Sequence, residues 1–308
     1  MIPQTLSARR SAWRSAAAAA VLGAVLAGAW ALPAEARVIH KERSLYSTIV
    51  VDQRGSVICL QFSTRRDQRN QTCMDKRRPR EMVFAYTRMM MASLLLNPEP
   101  QRILVLGLGG GTLPLALDEI LPDSYIDAVE IDPAVVRVAR EFFAFAPSER
   151  VRVAAQDGRV FVKRALQQGE RYDLIMLDAF TGEYIPEHMM TEEFLREVKQ
   201  LLSEDGVLAA NTFSVSDLYD HESVTYQAVF GTFFNMNPTS GGNRVVLARR
   251  GELPPRELLE ERARILKPVL ATYGIDIADK LDLLQTEPDW NTDARVLTDQ
   301  FSPANLLR

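Results

Sequence analysis

The chain has 308 residues, 47% hydrophobic and 25% charged, which is the balance of a folded globular protein and not of a disordered or fibrous one. That length suits one large domain with a smaller appendage. A net charge of −4 leaves no cationic excess to neutralise phosphates, which argues against nucleic acid as the main partner.

Residues 1–36 stand apart from the fold. Arg9, Arg10 and Arg14 make a positive stretch without an acid, Ala16 to Leu32 is uncharged, and Ala34-Glu35-Ala36 fits a small-x-small cleavage site. The uncharged stretch is Ala- and Gly-rich and short for a permanent span. It reads as a cleaved export signal, with an uncleaved anchor or a misassigned start as the alternatives. The first two place the protein in the periplasm or at the inner membrane, with any membrane association running through this segment alone. Without a signal the protein is cytoplasmic.

Residues 37–80 read as a small, β-rich antiparallel domain. Ser47 to Asp52 is one strand, Val57 to Phe62 a second and Gln71 to Met74 a third, with the polar stretch Ser63 to Asn70 as the turn between the last two. Cys59 and Cys73 fall in these two strands. An oxidising compartment allows a bridge between them; a reducing one leaves two buried thiols. No further cysteine lies nearby, and His40 is the only histidine within reach in sequence, so a metal is not expected. The basic clusters Arg65, Arg66, Arg69 and Lys76, Arg77, Arg78, Arg80 read as a solvated loop and its flanks.

Glu81 to Leu96 has helical periodicity, and its run Met89-Met90-Met91 reads as core packing. After Pro98 and Pro100, buried strands alternate with amphipathic helices. The strands are Arg102 to Leu106, Tyr125 to Ile131, Val151 to Ala155, Tyr172 to Leu177 and Val207 to Thr212. The helices are Leu113 to Leu121, Pro133 to Phe143, Arg159 to Gln168 and Thr191 to Leu202, with Thr191 as N-cap. Such alternation predicts an α/β fold, a Rossmann-like, doubly wound, mostly parallel sheet over residues 81–250. Residues 251–308 read as a C-terminal helical extension, helical from Pro254 to about Tyr273.

Polar residues gather where such sheets bind ligands, at the C-terminal ends of consecutive strands. Gly107, Gly109, Gly110 and Gly111 close the first strand and open a helix, where glycine lets a ligand approach the backbone and the helix start offers N–H groups. Glu130 ends the second strand, where an acid accepts from ribose hydroxyls. Asp157 follows the third, in reach of an adenine amino group or as a helix N-cap, and Asp178 follows the fourth. The loop departs from the dinucleotide pattern, with Thr112 three residues after Gly109, and Val105 stands where many methyltransferases carry an acid. His188 and His221 lie near acids but lack metal-ligand spacing, and read as exposed positions.

These motifs, in this order and spacing, resemble the spermidine synthase (aminopropyltransferase) family over roughly residues 45 to 250. Tyr46-Ser47-Thr48-Ile49, Phe84-Ala85-Tyr86-Thr87, Gly107 to Gly111, Val129-Glu130-Ile131-Asp132, Asp157-Gly158 and Tyr172 to Asp178 carry the resemblance. It implies a fold of the S-adenosylmethionine-dependent transferase type, with Glu130 holding the ribose, Asp157 the adenine, and Asp178 with Tyr86 serving an incoming amine. It also implies decarboxylated S-adenosylmethionine or S-adenosylmethionine as co-substrate, with no permanently bound cofactor and no metal, and an amine such as putrescine as acceptor; a homodimer is left open.

The departures concern the cationic tails of the ligands. Gly110 stands where the family carries an acid inside the glycine loop, Thr181 where it carries a second aspartate, and Ser47 where it places a glutamine. The late aromatic of the family is absent from Asn237 to Gly241. Glu183 is either a substitute acid or a surface carboxylate. The sequence thus resembles a divergent bacterial spermidine synthase-like branch. Its expected activity is aminopropyl transfer; methyl transfer from S-adenosylmethionine and non-catalytic binding of an adenosyl ligand are the alternatives.

Overall fold

The computed structural model describes residues 36–63, 69–180, 185–238 and 242–301. The export-signal reading of the N-terminus and the positions Thr181 and Glu183 lie outside the described residues. Among those described, no helix is long and apolar enough to cross a membrane.

Strands β1 (Arg37–Arg43), β2 (Thr48–Arg54), β3 (Val57–Ser63) and β4 (Asn70–Asp75) form an antiparallel sheet in sequence order. Cys59 and Cys73 face each other in the β3–β4 register and are joined by a disulfide, which decides between the bridge and the free thiols.

A helical segment follows, shorter than its periodicity predicts. α1 (Ala85–Met90) runs into a 3₁₀ stretch, Met91–Leu95. Met89, Met90 and Met91 are all buried in the core.

The second sheet has seven strands, β5 (Arg102–Leu106), β6 (Tyr125–Glu130), β7 (Val151–Ala155), β8 (Tyr172–Leu177), β9 (Leu202–Phe213), β10 (Phe234–Met236) and β11 (Asn243–Arg249), in the order β10-β11-β9-β8-β5-β6-β7. Five are parallel, while β11 and β10 continue the sheet antiparallel beyond β9. Connecting and flanking helices are α2 (Thr112–Ile120), α3 (Pro133–Phe142), α4 (Gly158–Gln167), α5 (Glu192–Leu201), α6 (Tyr219–Phe230), α7 (Arg256–Ala271) and α8 (Ile277–Leu281).

The period-2 geometry of strands assigns the layers. Ile103 and Val105 of β5 and Met176 of β8 face Leu113 and Leu117 of α2 and Leu266 of α7. Their neighbours Leu104, Leu106 and Ile175 face Phe161 of α4 and Phe194 of α5 on the other side. Both faces of the strands are covered, so they read as unbroken apolar runs.

From Arg37 onward the chain forms one compact unit, in which the small antiparallel sheet is separate from the seven-stranded one. Ile49, Val51, Ile58 and Leu60 of the small sheet share a core with Val135, Val138 and Phe143 on and beside α3. A four-stranded sheet of this size has one apolar face to cover, and α3 covers it. The C-terminal extension is integrated in the same way, with Leu259, Leu266 and Leu270 of α7 in the main core.

Strand order reverses at the β5–β8 pair, since β5 runs on to β6 on one side and has β8 on the other. Open α/β sheets bind ligands at such a switch point, outside the carboxyl ends of the strands.

Candidate active site

The chain turns sharply at that point. Gly107 has φ +100°, and its N–H donates to the Val129 carbonyl at 2.8 Å. One residue earlier, the Leu106 carbonyl accepts from the N–H of Asp178 at 2.8 Å. The end of β8 is thereby locked against the start of the glycine loop. Gly111, with φ +81°, is the N-cap of α2 and has the Phe145 ring where a Cβ would be.

Above these strand ends lies a cavity of about 560 Å³, within the usual size range of small-molecule sites. Its wall includes Gly107, Gly109, Glu130, Asp157, Asp178 and Tyr86. The structure thus brings together six of the seven site residues read from the sequence; Gly111 lies behind the wall. The small sheet supplies the facing wall through Asn70, Gln71 and Thr72 of β4 and the loop residues Tyr46 and Ser47.

At one end, Glu130 accepts backbone N–H groups with both oxygens, Leu108 at 3.1 Å and Asp132 at 3.0 Å. Burial pushes its carboxyl pKa up, and these backbone donors, with that of Gly109, oppose the rise. Asp132 caps α3 through the Ala134 N–H at 2.9 Å, just ahead of Pro133 at the first helical position.

Asp157 performs the local task open to it, since its Oδ1 accepts the Val160 N–H at 2.9 Å and caps α4. Its Oδ2 lies 3.1 Å from Nε2 of His188. His188 also lines the cavity, a placement that its sequence surroundings do not signal.

Asp178 lines the same cavity from the end of β8, two strands across from β6 and Glu130. Its Oδ2 accepts from the Tyr86 hydroxyl at 3.3 Å and its Oδ1 from the Asn211 amide at 2.9 Å. The Asn211 carbonyl oxygen accepts in turn from Asn243 at 3.0 Å, so the amide presents its NH₂ to Asp178. Burial pushes the Asp178 carboxyl up to about 7; the Asn211 and Tyr86 hydrogen bonds hold it down, and the Glu130 charge adds to the rise. The Tyr86 phenol is pushed well up, by burial first and then by the charge of Asp178. A carboxyl that gives up its proton near neutrality, fixed between two donors, is suited to proton transfer.

Asn211 and Asn243 are the residues that sequence reading missed. Asn211 is the fifth-strand counterpart of Asp178, and strand-end position is the signal that marks it.

The departure at Gly110 has a steric basis. A Cβ there would lie 2.8 Å from Thr72 Cγ2 and 3.1 Å from the Phe143 ring. Side chains of the small sheet and of the residue after α3 thus crowd the Cβ position of any larger residue there.

Comparison with known proteins agrees with this architecture. The spermine/spermidine synthase domain matches residues 83–238. The polyamine aminopropyltransferase of Vibrio vulnificus is 50% identical over 280 residues, covering 89% of this chain and 92% of that protein. A probable spermidine synthase from Corynebacterium glutamicum superposes with a TM-score of 0.62 at 18% identity, over 84% of this chain and 99% of that one, which speaks to the fold alone. Human methyltransferase-like protein 13 in complex with SAH superposes with a TM-score of 0.55 at 28% identity, over 71% of this chain and all of that one. By its sequence match over residues 83–238 and by its near full-length likeness to a polyamine aminopropyltransferase, this chain belongs to the spermine/spermidine synthase family.

Proposed function

We propose that this protein is an aminopropyltransferase that moves the aminopropyl group of decarboxylated S-adenosylmethionine onto an amine such as putrescine. The observation that carries the reading is the Asp178 carboxylate, held by Tyr86 and Asn211 at the end of β8, three strands across the sheet from β7, which Asp157 follows. Glu130 receives the ribose hydroxyls, Asp157 the adenine amino group, and the loop from Gly107 to Gly111 lets the nucleoside lie close to the backbone. The acceptor nitrogen attacks the aminopropyl carbon next to the sulfonium. The C–N bond forms as the C–S bond breaks, the electron pair returns to sulfur, and methylthioadenosine leaves. Asp178 takes the proton that the nitrogen sheds, while the Tyr86 hydroxyl orients the amine.

Methyl transfer is the second reading. It is favoured by the filled space at Gly110, which removes a grip on an aminopropyl ammonium, and by the likeness to the SAH-bound methyltransferase-like protein. The test is to incubate the purified protein with both S-adenosyl donors and a panel of amines and to identify the thioether product by mass. Methylthioadenosine supports the proposal, S-adenosylhomocysteine the second reading, and neither product a non-catalytic binding protein.

Export to an oxidising compartment belongs to the same proposal. The basic-then-apolar N-terminus and the Cys59–Cys73 bridge support it. Cell fractionation with N-terminal sequencing tests it, and a cytoplasmic, unprocessed chain would overturn it.

A further inference from the structure

The nucleoside end of the cavity holds a side chain that neither the motifs nor the proposed chemistry accounts for. His188 lies in a short 3₁₀ turn, Glu187–Met189, and its side chain is 45% exposed. Its ring lines the cavity and meets the one Asp157 oxygen that helix capping leaves over.

The turn is held from behind. The main-chain oxygen of His188 accepts from Arg159 Nη1 at 3.1 Å. Arg159 is buried and bound to two carboxylates, Asp299 at 2.6 and 2.8 Å and Glu197 at 3.0 and 3.1 Å. Thr191 donates to the same Asp299 at 2.7 Å. The ring position is therefore set by α4, α5 and the C-terminal segment together.

We propose that His188 is a positioning residue for purine recognition, fixing the Asp157 carboxylate so that it selects a 6-amino purine over a 6-oxo purine. The inference rests on the reading that Asp157 faces the adenine. A carboxylate held by the Val160 N–H on one oxygen and an imidazole N–H on the other cannot swing about its χ angles. One lone pair remains on Oδ2 for an exocyclic N–H donor, and an exocyclic carbonyl oxygen placed there meets an acceptor. Ordering this carboxylate before the ligand arrives lowers the cost of binding it. A half-exposed pair of this kind contributes little to stability, so the contact earns its place through geometry.

The experiment is calorimetric binding of methylthioadenosine and methylthioinosine to the whole protein and to His188→Ala and His188→Gln. The wild type is expected to prefer the 6-amino ligand. His188→Ala should lose on the order of tenfold in affinity for methylthioadenosine, with no comparable loss for methylthioinosine. His188→Gln, which keeps an N–H donor, should recover most of the preference. A structural role of the turn predicts equal losses for both ligands. Equal losses, an unchanged preference in His188→Ala, or a wild type that binds both ligands alike would overturn the inference while leaving the proposed function standing. A wild type that binds neither ligand would overturn both.

Discussion

A Cβ on Gly107 would lie 2.2 Å from the carbonyl oxygen of Asp178. The two strand ends therefore approach as closely as backbone allows, and the approach places the Asp178 carboxylate on the cavity floor. Gly107→Ala adds a clash with main chain to a left-handed φ that L-residues adopt at a cost of about 1–2 kcal/mol. Turnover should fall at least tenfold, because a small displacement of a reacting group is expensive, and the melting temperature should drop. Gly55→Ala is the control: it has φ +60° with nothing within 4 Å of the added Cβ. It should show the strain alone, with turnover unchanged. Equal turnover in both variants would refute the link to Asp178.

Asp178→Asn keeps the shape and removes the proton acceptor. Turnover should fall by about 10²–10⁴-fold while donor affinity changes little. Its effect on stability has the opposite sign. The folded carboxyl titrates at about 7 against 3.8 for the ordinary value, so the native state keeps a proton that the unfolded state has released. That stability is complete below the ordinary value and is lost as pH rises through about 7. An amide undergoes no such loss, so Asp178→Asn should melt above the wild type at alkaline pH, with the gap closing toward acid pH. Turnover and melting curves across pH, on the same protein, check both statements.

The pH profile should carry the same group. With Asp178 as the base, kcat/KM falls as pH drops through about 7. Asn211→Ala removes a hydrogen bond that favours the ionised form, so the acid limb should move to higher pH. Tyr86→Phe should move it less, since its bond is 3.3 Å against 2.9 Å. An acid limb that stays in place in Asn211→Ala would show that another group sets it.

Glu130→Ala removes the proposed ribose acceptor together with the partner of the Leu108 and Asp132 N–H groups. Affinity for an adenosyl thioether should weaken by about tenfold or more. Calorimetry showing unchanged binding would remove Glu130 from the ligand contacts.

The Cys59–Cys73 bridge closes a loop with a sequence separation of 14. The chain-entropy relation gives about 3 kcal/mol for a loop of that length. Exported protein should weigh two hydrogens less than the thiol form, and Cys59→Ser with Cys73→Ser should melt lower at unchanged donor affinity. Free thiols in protein taken from an oxidising compartment would end this prediction.

The sequence by itself determined the parallel sheet and the strand-end residues that the sheet brings to the cavity wall. Its apolar runs are short enough to be strands, as at Tyr172–Leu177, and the parallel sheet aligns their C-terminal ends. A polar residue just past each run, such as Glu130, Asp157 or Asp178, must then arrive on one edge. The pattern is local, and strand geometry makes it global. Only the tertiary structure decided which side chains meet. Asn211 reaches Asp178 because β9 pairs with β8, and Asn243 turns that amide because β11 pairs antiparallel with β9. The helix-to-strand pattern fades after β9, and no local spacing announces that pairing. Thr72 fills the space over Gly110 because β4 packs across the loop, and His188 meets Asp157 across 31 residues of chain. Each of these contacts joins residues from separate elements. Strand order and the packing of one element on another bring them together, and neither is written in the spacing of a single segment.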